Sequence, residues 1–368
     1  MTILLIAAAT VAAFASSPRW LRIAQREHYQ PGSVTRFAGR WWRSSWLNVL
    51  LILTALVATV GVWWVEWLGW LGVAALVGPR GLSMRGRTST LSWTSRLRRL
   101  AIAAGVLVVA LAAAAIGNDR AGWAVTGLVG LPLIVDAALV LLGPIERQLG
   151  DKWVDLARSR LAASGARVVA ITGSYGKTTT KGYLGHLLSG RFRTMVTPAS
   201  FNNRMGLARA INEHLAPGIE VFVAEMGTYG PGEIADLCRF VPPEIGVITA
   251  VGPVHLERFG SIEAIVAAKK EILADARVAV MNVDDELLAR VAAEEAGHRK
   301  IVRVSAHDTT ADVSVVGHTL RIGPTEYGPV GPEVFAANLA CAVGAAIELG
   351  VPPHEVARRL DDLPVAPH

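Results

Sequence analysis

Residues 173–181, GSYGKTTTK, set a lysine and a run of hydroxyls directly behind two glycines. Each residue type has a use in binding phosphate. Glycines let the main chain approach phosphate oxygens, Lys177 supplies a point charge, and the Thr178 hydroxyl can sit on a magnesium ion. The loop must then lead into a helix, whose unpaired first N–H groups and dipole attract anions. The glycine spacing departs from the common P-loop, whose first glycine would fall at Ile171. A tight strand-to-helix turn with an exposed lysine is the plainer alternative. The context disfavours it, because the β-branched run Val168, Val169 and Ile171 reads as a buried strand ending at the loop.

Three more residues with chemical potential stand near expected strand ends. Glu225 follows VFVA, His255 lies in VGPVHLERFG, and Lys269 falls in AAKKEIL on the next helix. A carboxylate at the end of a buried strand beside a phosphate loop can hold a metal. Taken singly, His255 and Lys269 read more simply as a loop histidine and a solvated helix lysine, since neither belongs to a metal-ligand pattern.

The elements that must position these residues alternate in type. Strands are expected at 167–172, 220–225, 245–250, 277–281 and 301–304, and helices at 177–189, 204–215, 231–238, 261–275, 285–297 and 334–349. Residues 311–323 read as a small β excursion. The alternation predicts an α/β fold with a doubly wound, mostly parallel sheet, with ligands at the carboxyl ends of its strands. Cys238 and Cys341 sit in apolar contexts without metal spacing and read as reduced core residues.

The first 150 residues differ in kind. Ten of the eleven tryptophans lie there, and the first lysine is Lys152. The average of 52% hydrophobic residues thus combines a very apolar part with an ordinary globular one. A formal net charge of +6 does not point to nucleic acid here, because twelve arginines fall in two segments between apolar runs, six in 17–45 and six in 79–99. Such placement follows the positive-inside pattern. Residues 2–16 lack the basic start of a cleaved signal peptide and read as an anchor with its N-terminus outside. Residues 46–78 carry one charge, Glu66. Both basic loops lie inside only if this stretch goes out and back as a hairpin, with Trp63, Trp64, Glu66 and Trp67 at its outer tip. Residues 100–117 and 121–143 then complete about five crossings. Asp136 finds no cationic partner in the other spans, and reads as facing a neighbouring helix or the inner headgroups near Pro144 and Arg147. The expected organisation is an α-helical transmembrane region over 1–143, an amphipathic linker over 144–164, and a cytoplasmic domain over 165–368 in a multi-pass protein of the cell membrane.

In combination, the second part resembles the Mur ligases, most closely their D-alanyl-D-alanine-adding branch. The resemblance runs in order through ITGSYGKTTTK, TPASFNNRMGLARAI, VFVAEMGTYGPGEIADLCRFVPPEIGVITAVGPVHLERFGSIEAIVAAKKEIL, VAVMNVDDELL, and Asn338 in AANLACAVGAAIELG. It implies an ATP-binding central domain. Gly173, Ser174, Tyr175, Gly176 and Thr179 would cradle phosphates that Lys177 holds, while Thr178 and Glu225 would ligate one magnesium ion. His255 would bind a second together with Lys269, which such enzymes carry in carbamylated form. Asn202 and Asn203 match an asparagine pair near the reacting groups. Asn282, Asp284 and Asn338 fall where the family holds the nucleotide's base and sugar.

The reaction implied is ATP-dependent amide formation through an acyl phosphate. It would join an amino acid or dipeptide to a carboxylate acceptor such as a nucleotide-linked or lipid-linked muropeptide, in making or modifying a cell-wall peptidoglycan precursor. The membrane region stands where the family has a uridine-nucleotide domain. The family's C-terminal closing domain is not found before His368, so a longer chain or a partner chain is expected to supply it. A catalytically incomplete nucleotide-binding scaffold or sensor for cell-wall enzymes is the alternative. A P-loop transport ATPase fits less well, because nearly charge-free spans offer a solute few polar groups.

Overall fold

The computed structural model describes residues 1–76, 82, 91–199, 201–254 and 256–364, with backbone only at 257 and 258. The chain falls into two compact units, Met1–Leu149 and Gly150–His368.

The first unit is helical: α1 (Thr2–Arg26), α2 (Ser33–Trp42), α3 (Trp46–Gly61), α4 (Leu68–Leu76), α5 (Ser95–Gly117), α6 (Gly122–Val129) and the first part of α7 (Leu131–Ser164). Side-chain caps set two of the starts. Ser45 Oγ accepts from the Asn48 N–H (3.2 Å) ahead of α3, and Thr94 Oγ1 accepts from the Leu97 N–H (3.2 Å) ahead of α5. Small and aliphatic side chains such as Ala9, Ala13, Ala104 and Val125 fill the interior, whereas Trp46, Leu53, Val57, Ile102, Val106 and Val140 are exposed. An apolar exterior around a small-residue interior is the pattern of helices packed in lipid.

Polar groups gather at the two ends of this unit. At one end Thr2 Oγ1 donates to Glu66 (2.7 Å), Arg120 donates to the Trp63 carbonyl (3.0 Å), and Trp63 and Trp123 pack edge to face. At the other, Gln25 donates to the Ser92 carbonyl (2.8 Å) and Arg99 makes a two-pronged ion pair with Glu146 (2.5 and 2.8 Å). The 63–67 turn and the 118–120 turn therefore share one end, as the hairpin expectation requires.

The expectation was about five crossings. Among the described residues, two helices, α1 and α5, are long and apolar enough to cross a membrane, or up to four if the bent pairs α2–α3 (115°) and α6–α7 (78°) each count as one span. The hairpin arms are short. α3 stops at Gly61 after 16 residues, about 24 Å at 1.5 Å per residue, against a hydrocarbon core of about 30 Å. α4 has nine residues. The end of the hairpin at 77–78 and most of the second basic loop lie outside the described residues. The anchor expected over 2–16 runs on to Arg26 through Pro18.

Asp136 faces α2. Its buried carboxylate accepts from the N–H groups of Val34 (3.3 Å) and Thr35 (2.8 Å) and from Thr35 Oγ1 (2.6 Å). The cap residue of α2 is Gly32, in the left-handed region and without a side-chain acceptor. A carboxylate from α7 thus serves the free N–H groups and positive dipole end of α2. Asp136→Ala is expected to cost about 2–3 kcal/mol, because buried donors lose a charged acceptor. Hydrogen exchange at the Val34 and Thr35 amides should speed up accordingly; unchanged exchange would contradict the assignment.

The second unit contains the rest of α7, then β1 (Arg167–Thr172), α8 (Lys177–Leu188), β2 (Thr194–Val196), α9 (Arg204–His214), β3 (Val221–Glu225), α10 (Glu233–Phe240), β4 (Ile245–Ile248), α11 (Leu256–Phe259), α12 (Ile262–Lys270), β5 (Val278–Asn282), α13 (Glu286–Glu295), β6 (Lys300–Ser305), β7 (Val313–Val316), β8 (Thr319–Ile322), β9 (Thr325–Pro329), α14 (Ala336–Glu348) and α15 (Pro353–Arg358). One sheet runs β2-β3-β1-β4-β5-β6-β7-β8-β9, parallel as far as β7 and antiparallel beyond. This is the mostly parallel α/β fold expected. Its central strands are buried on both faces. Val169, Ile171, Val221 and Val223 join Leu184 and Leu187 in one core, while Val168, Ala170, Phe222 and Ala224 join Leu207, Ile211 and Leu237 in the other. The strand order reverses at β1, where such sheets bind ligands beyond the carboxyl ends.

Several boundaries moved. Residues 144–164, expected as a linker helix, form the second part of α7, which passes through Pro144 without a break. β2, three residues long, is too short for periodicity to reveal. The helix expected over 261–275 stops at Lys270 and tightens into a 3₁₀ turn, Glu271–Leu273. The β excursion extends beyond 323 to include β9. Cys238 and Cys341 are free and buried, and burial pushes both thiols up to about 12, as inert core residues require.

Candidate functional site

β1 passes the chain to the loop 173–176, which is locked to the segment after β4. Thr249 Oγ1 lies 2.6 Å from the Tyr175 carbonyl, the Ser174 N–H donates to the Ala250 carbonyl (2.8 Å), and the Gly252 N–H donates to Ser174 Oγ (2.9 Å). Two glycines are required by space. A Cβ on Gly173 would stand 2.0 Å from Thr249 Oγ1, and one on Gly176, whose φ is +79°, would stand 2.3 Å from Asn338 Oδ1. Asn338, in the first turn of α14, therefore abuts the loop. The first-turn N–H groups of α8 have no acceptors within the helix and face the crevice.

Lys177 Nζ donates to the Gly173 carbonyl (2.8 Å), folding the side chain over the loop. Burial holds its ammonium below the usual lysine range, with the Glu225 carboxylate working in the opposite direction.

Glu225, only 1% exposed at the end of β3, is the centre of a polar cluster. Its Oε2 accepts from Thr178 Oγ1 (3.0 Å) and pairs with Lys181 Nζ (3.0 Å), and its Oε1 accepts from Asn202 Nδ2 (3.0 Å). Lys181 also donates to the Ala199 carbonyl (2.6 Å). Thr178, Glu225 and Asn202 are thus brought together. Lys181, which the sequence reading passed over, joins them from one helical turn beyond Lys177.

Lys269, on α12, is not the solvated helix lysine that its sequence context alone allows. It is buried, and lines a cleft of about 470 Å³ with Gly173, Ser174, Lys177, Asn202 and Tyr229. Among the described residues it has no hydrogen bond or ion pair. Burial, helped by the charge of Lys177, pulls its ammonium down to about 8. Because the folded value lies below the unfolded one, the unfolded chain binds the proton more readily. The resulting penalty is full below pH 8 and disappears as pH rises toward about 10.4. Lys269→Met is therefore expected to stabilise the protein at pH 7 in carbonate-free buffer by about 1–3 kcal/mol, and to flatten stability between pH 8 and 10 relative to wild type. Denaturant unfolding at several pH values checks this.

Other expected site residues have local work. Asn203 Oδ1 caps α9 by accepting from the Gly206 N–H (2.9 Å), and Asn282 Oδ1 accepts from the Asp284 N–H (3.2 Å). The Asp284 carboxylate accepts from Ser305 Oγ and from the Ala306 N–H (2.7 Å), away from the Glu225 cluster. Its neighbour Asp285 caps α13 and accepts from the Val251 N–H (2.9 Å), steadying the segment that leads toward His255. Sequence reasoning missed Asp285 and Thr249, although Asp285 directly before the ELLARV helix was a legible cap signal. His255 lies outside the described residues. Among the described residues no three His, Cys, Asp or Glu side chains cluster as a metal site.

A phosphate-type loop at the switch point of a parallel sheet, with lysines converging on one buried carboxylate, defines a nucleotide-site type of fold. Residues 171–322 match the Mur ligase middle domain. Among the chain's relatives are UDP-N-acetylmuramoyl-tripeptide–D-alanyl-D-alanine ligases. That of Mycobacterium tuberculosis is 30% identical over 334 residues, covering 78% of this chain and 63% of the relative, and that of Bacillus subtilis is 31% identical over 220 residues, covering 57% and 47%. A crystal structure of MurF from Acinetobacter baumannii superimposes with a TM-score of 0.51 at 27% identity, over 58% of this chain and 49% of that one. The chain thus spans less than two thirds of the length of these relatives.

Proposed function

We propose that the second unit binds magnesium-ATP at residues 173–179 and uses it to activate a substrate carboxylate for amide formation. One observation carries the reading: Lys177 and Lys269 line one cleft with Gly173 and Ser174 ahead of α8, while Glu225, the buried carboxylate nearby, is already paired with Lys181. That excess of positive charge in a partly dry crevice calls for a polyanion. Asn338 beside Gly176 is the member of the expected nucleotide set that stands nearest the loop, with Asn282 and Asp284 at the carboxyl end of β5.

Magnesium fits one place. Thr178 Oγ1 and Glu225 Oε2, 3.0 Å apart, are hard oxygen donors of the kind the ion uses when it keeps water and phosphate as its other ligands. Bound there, it would neutralise charge on the transferring phosphoryl group. Lys269 offers no oxygen as an amine and would serve a second ion, with His255, only as a carbamate. Its low ammonium value favours the neutral amine that adds to CO₂ with loss of a proton.

In the reaction, a carboxylate oxygen attacks the γ-phosphorus and ADP leaves. The incoming amine then attacks the acyl carbon of the acyl phosphate, forming the amide as inorganic phosphate leaves and the nitrogen gives up a proton. Lys177 stabilises the charge on the phosphates, and the Glu225 cluster holds Asn202 at the edge of the cleft, beside the path of the acceptor. Relatives named for joining D-alanyl-D-alanine to a muropeptide make a muropeptide, nucleotide-linked or lipid-linked, the acceptor we favour, with an amino acid or dipeptide as the amine. The apolar exterior of the first unit supports a multi-pass membrane protein with its ligase unit in the cytoplasm, where ATP is.

Acceptor labelled with ¹⁸O in its carboxylate tests the reading, beginning with UDP-N-acetylmuramoyl-tripeptide and D-alanyl-D-alanine. One labelled oxygen should appear in the released phosphate. Amide formed with unlabelled phosphate would contradict the mechanism, and nucleotide binding without turnover on any pair would favour the scaffold.

A further inference from the structure

We infer that Lys181 is a positioning residue: it holds Glu225 as a closed ion pair in the absence of nucleotide, so that the metal enters only with the phosphates, and it ties Ala199 to that event. The inference rests on the magnesium-nucleotide reading above. Lys181 and Glu225 are both nearly sealed, with side chains 6% and 2% exposed. A buried charge needs a partner, and each is the other's.

The ammonium reaches three elements. It projects from α8, meets the carboxylate at the end of β3, and donates to the carbonyl of Ala199. Ala199 has φ +42°, a left-handed conformation that a non-glycine residue adopts at some cost. From the same loop, Asn202 donates to the other oxygen of Glu225. The carboxylate and the ammonium together thus hold Asn202 and Ala199.

A carboxylate oxygen presents about two lone-pair sites. On Glu225 Oε2 they are taken by the Thr178 hydroxyl and by Lys181. A cation coming to Oε2 must turn the hydroxyl away or displace the ammonium. With the ion pair closed, a divalent ion meets no net negative charge there, and Lys177 repels it. A triphosphate reverses that balance. In Lys181→Met, Glu225 stands uncompensated beside Thr178, and a divalent ion alone becomes its natural partner.

Thermal unfolding of the full chain with magnesium chloride alone, and with magnesium-ATP, tests this. For the wild type, magnesium chloride alone should leave Tm unchanged and magnesium-ATP should raise it. For Lys181→Met, Tm without additions should fall, millimolar magnesium alone should restore it by several degrees, reflecting about a tenfold or larger gain in affinity for the ion, and hydrogen exchange at the Asn202 and Asn203 amides should accelerate. Lys181→Arg keeps the cation and should stay unresponsive to the ion alone. A lower Tm in Lys181→Met with no magnesium response would reduce Lys181 to a structural pair and overturn the inference. So would a wild type that responds to magnesium alone, a result that stands even where the variant does not fold. A wild type that does not bind magnesium-ATP would instead remove the functional reading on which the inference depends.

Discussion

Lys177→Ala is expected to cut ATP-dependent amide formation by about 10²–10³-fold or more, the usual cost of removing a preorganised group that stabilises transition-state charge. The side chain folds back to the Gly173 carbonyl and so already sits over the loop, with no large reorganisation needed to meet a phosphate. Nucleotide affinity should fall with the rate, since the same ammonium would hold ground-state phosphates. Stability should not fall. Burial disfavours the ammonium, and it lies close enough to the buried Lys269 to depress that group as well, so its removal relieves repulsion. Calorimetric nucleotide titration beside thermal unfolding separates the two effects. Loss of binding with an unchanged or higher Tm is the expected pair, and retained binding would place the phosphates elsewhere.

The second large effect belongs to Glu225→Ala. It removes the acceptor of Thr178 and Asn202 and strands Lys181, whose side chain is 6% exposed. Breaking one side of a buried pair costs about 3–5 kcal/mol, a fall in Tm of roughly 10 °C for a unit of this size. The double variant Glu225→Ala with Lys181→Met should recover most of that loss, because no uncompensated charge remains. Thermal or denaturant unfolding of the single and double variants decides the matter. A small effect of the single variant would mean that Lys181 finds another partner and that the pair is incidental.

What could be read from the sequence was what is local. The run Val168–Thr172 followed by Gly173–Thr178 shows strand, loop and helix in adjacent residues, and Glu225 closes an uninterrupted buried strand, so both were legible. Lys181 was not, because its partner lies 44 residues further on (225 − 181) and its meaning depends on β1 and β3 being neighbours. Asp285, directly before the ELLARV helix, was legible as a cap, whereas the meeting of Asp284 with Ser305 depends on β5 and β6 being neighbours. In the first unit the tryptophans and Glu66 marked the hairpin tip. The arms could not be measured, since apolar composition continues on both sides of Gly61, where α3 ends. The partners of Asp136 were hidden for another reason: two of the three are main-chain N–H groups, which leave no mark in a sequence beyond the Gly32 that starts α2, and the third is the Thr35 hydroxyl 101 residues away.

The central claim is that this crevice couples nucleotide cleavage to amide formation. Its most direct test is ADP release by the wild-type chain with magnesium-ATP, measured with no substrate, with acceptor alone, with amine alone, and with both. The account predicts steady turnover only when both substrates are present, one ADP for each amide formed, and none in Lys177→Ala. ADP release that ignores acceptor and amine, or that survives in Lys177→Ala, would contradict it.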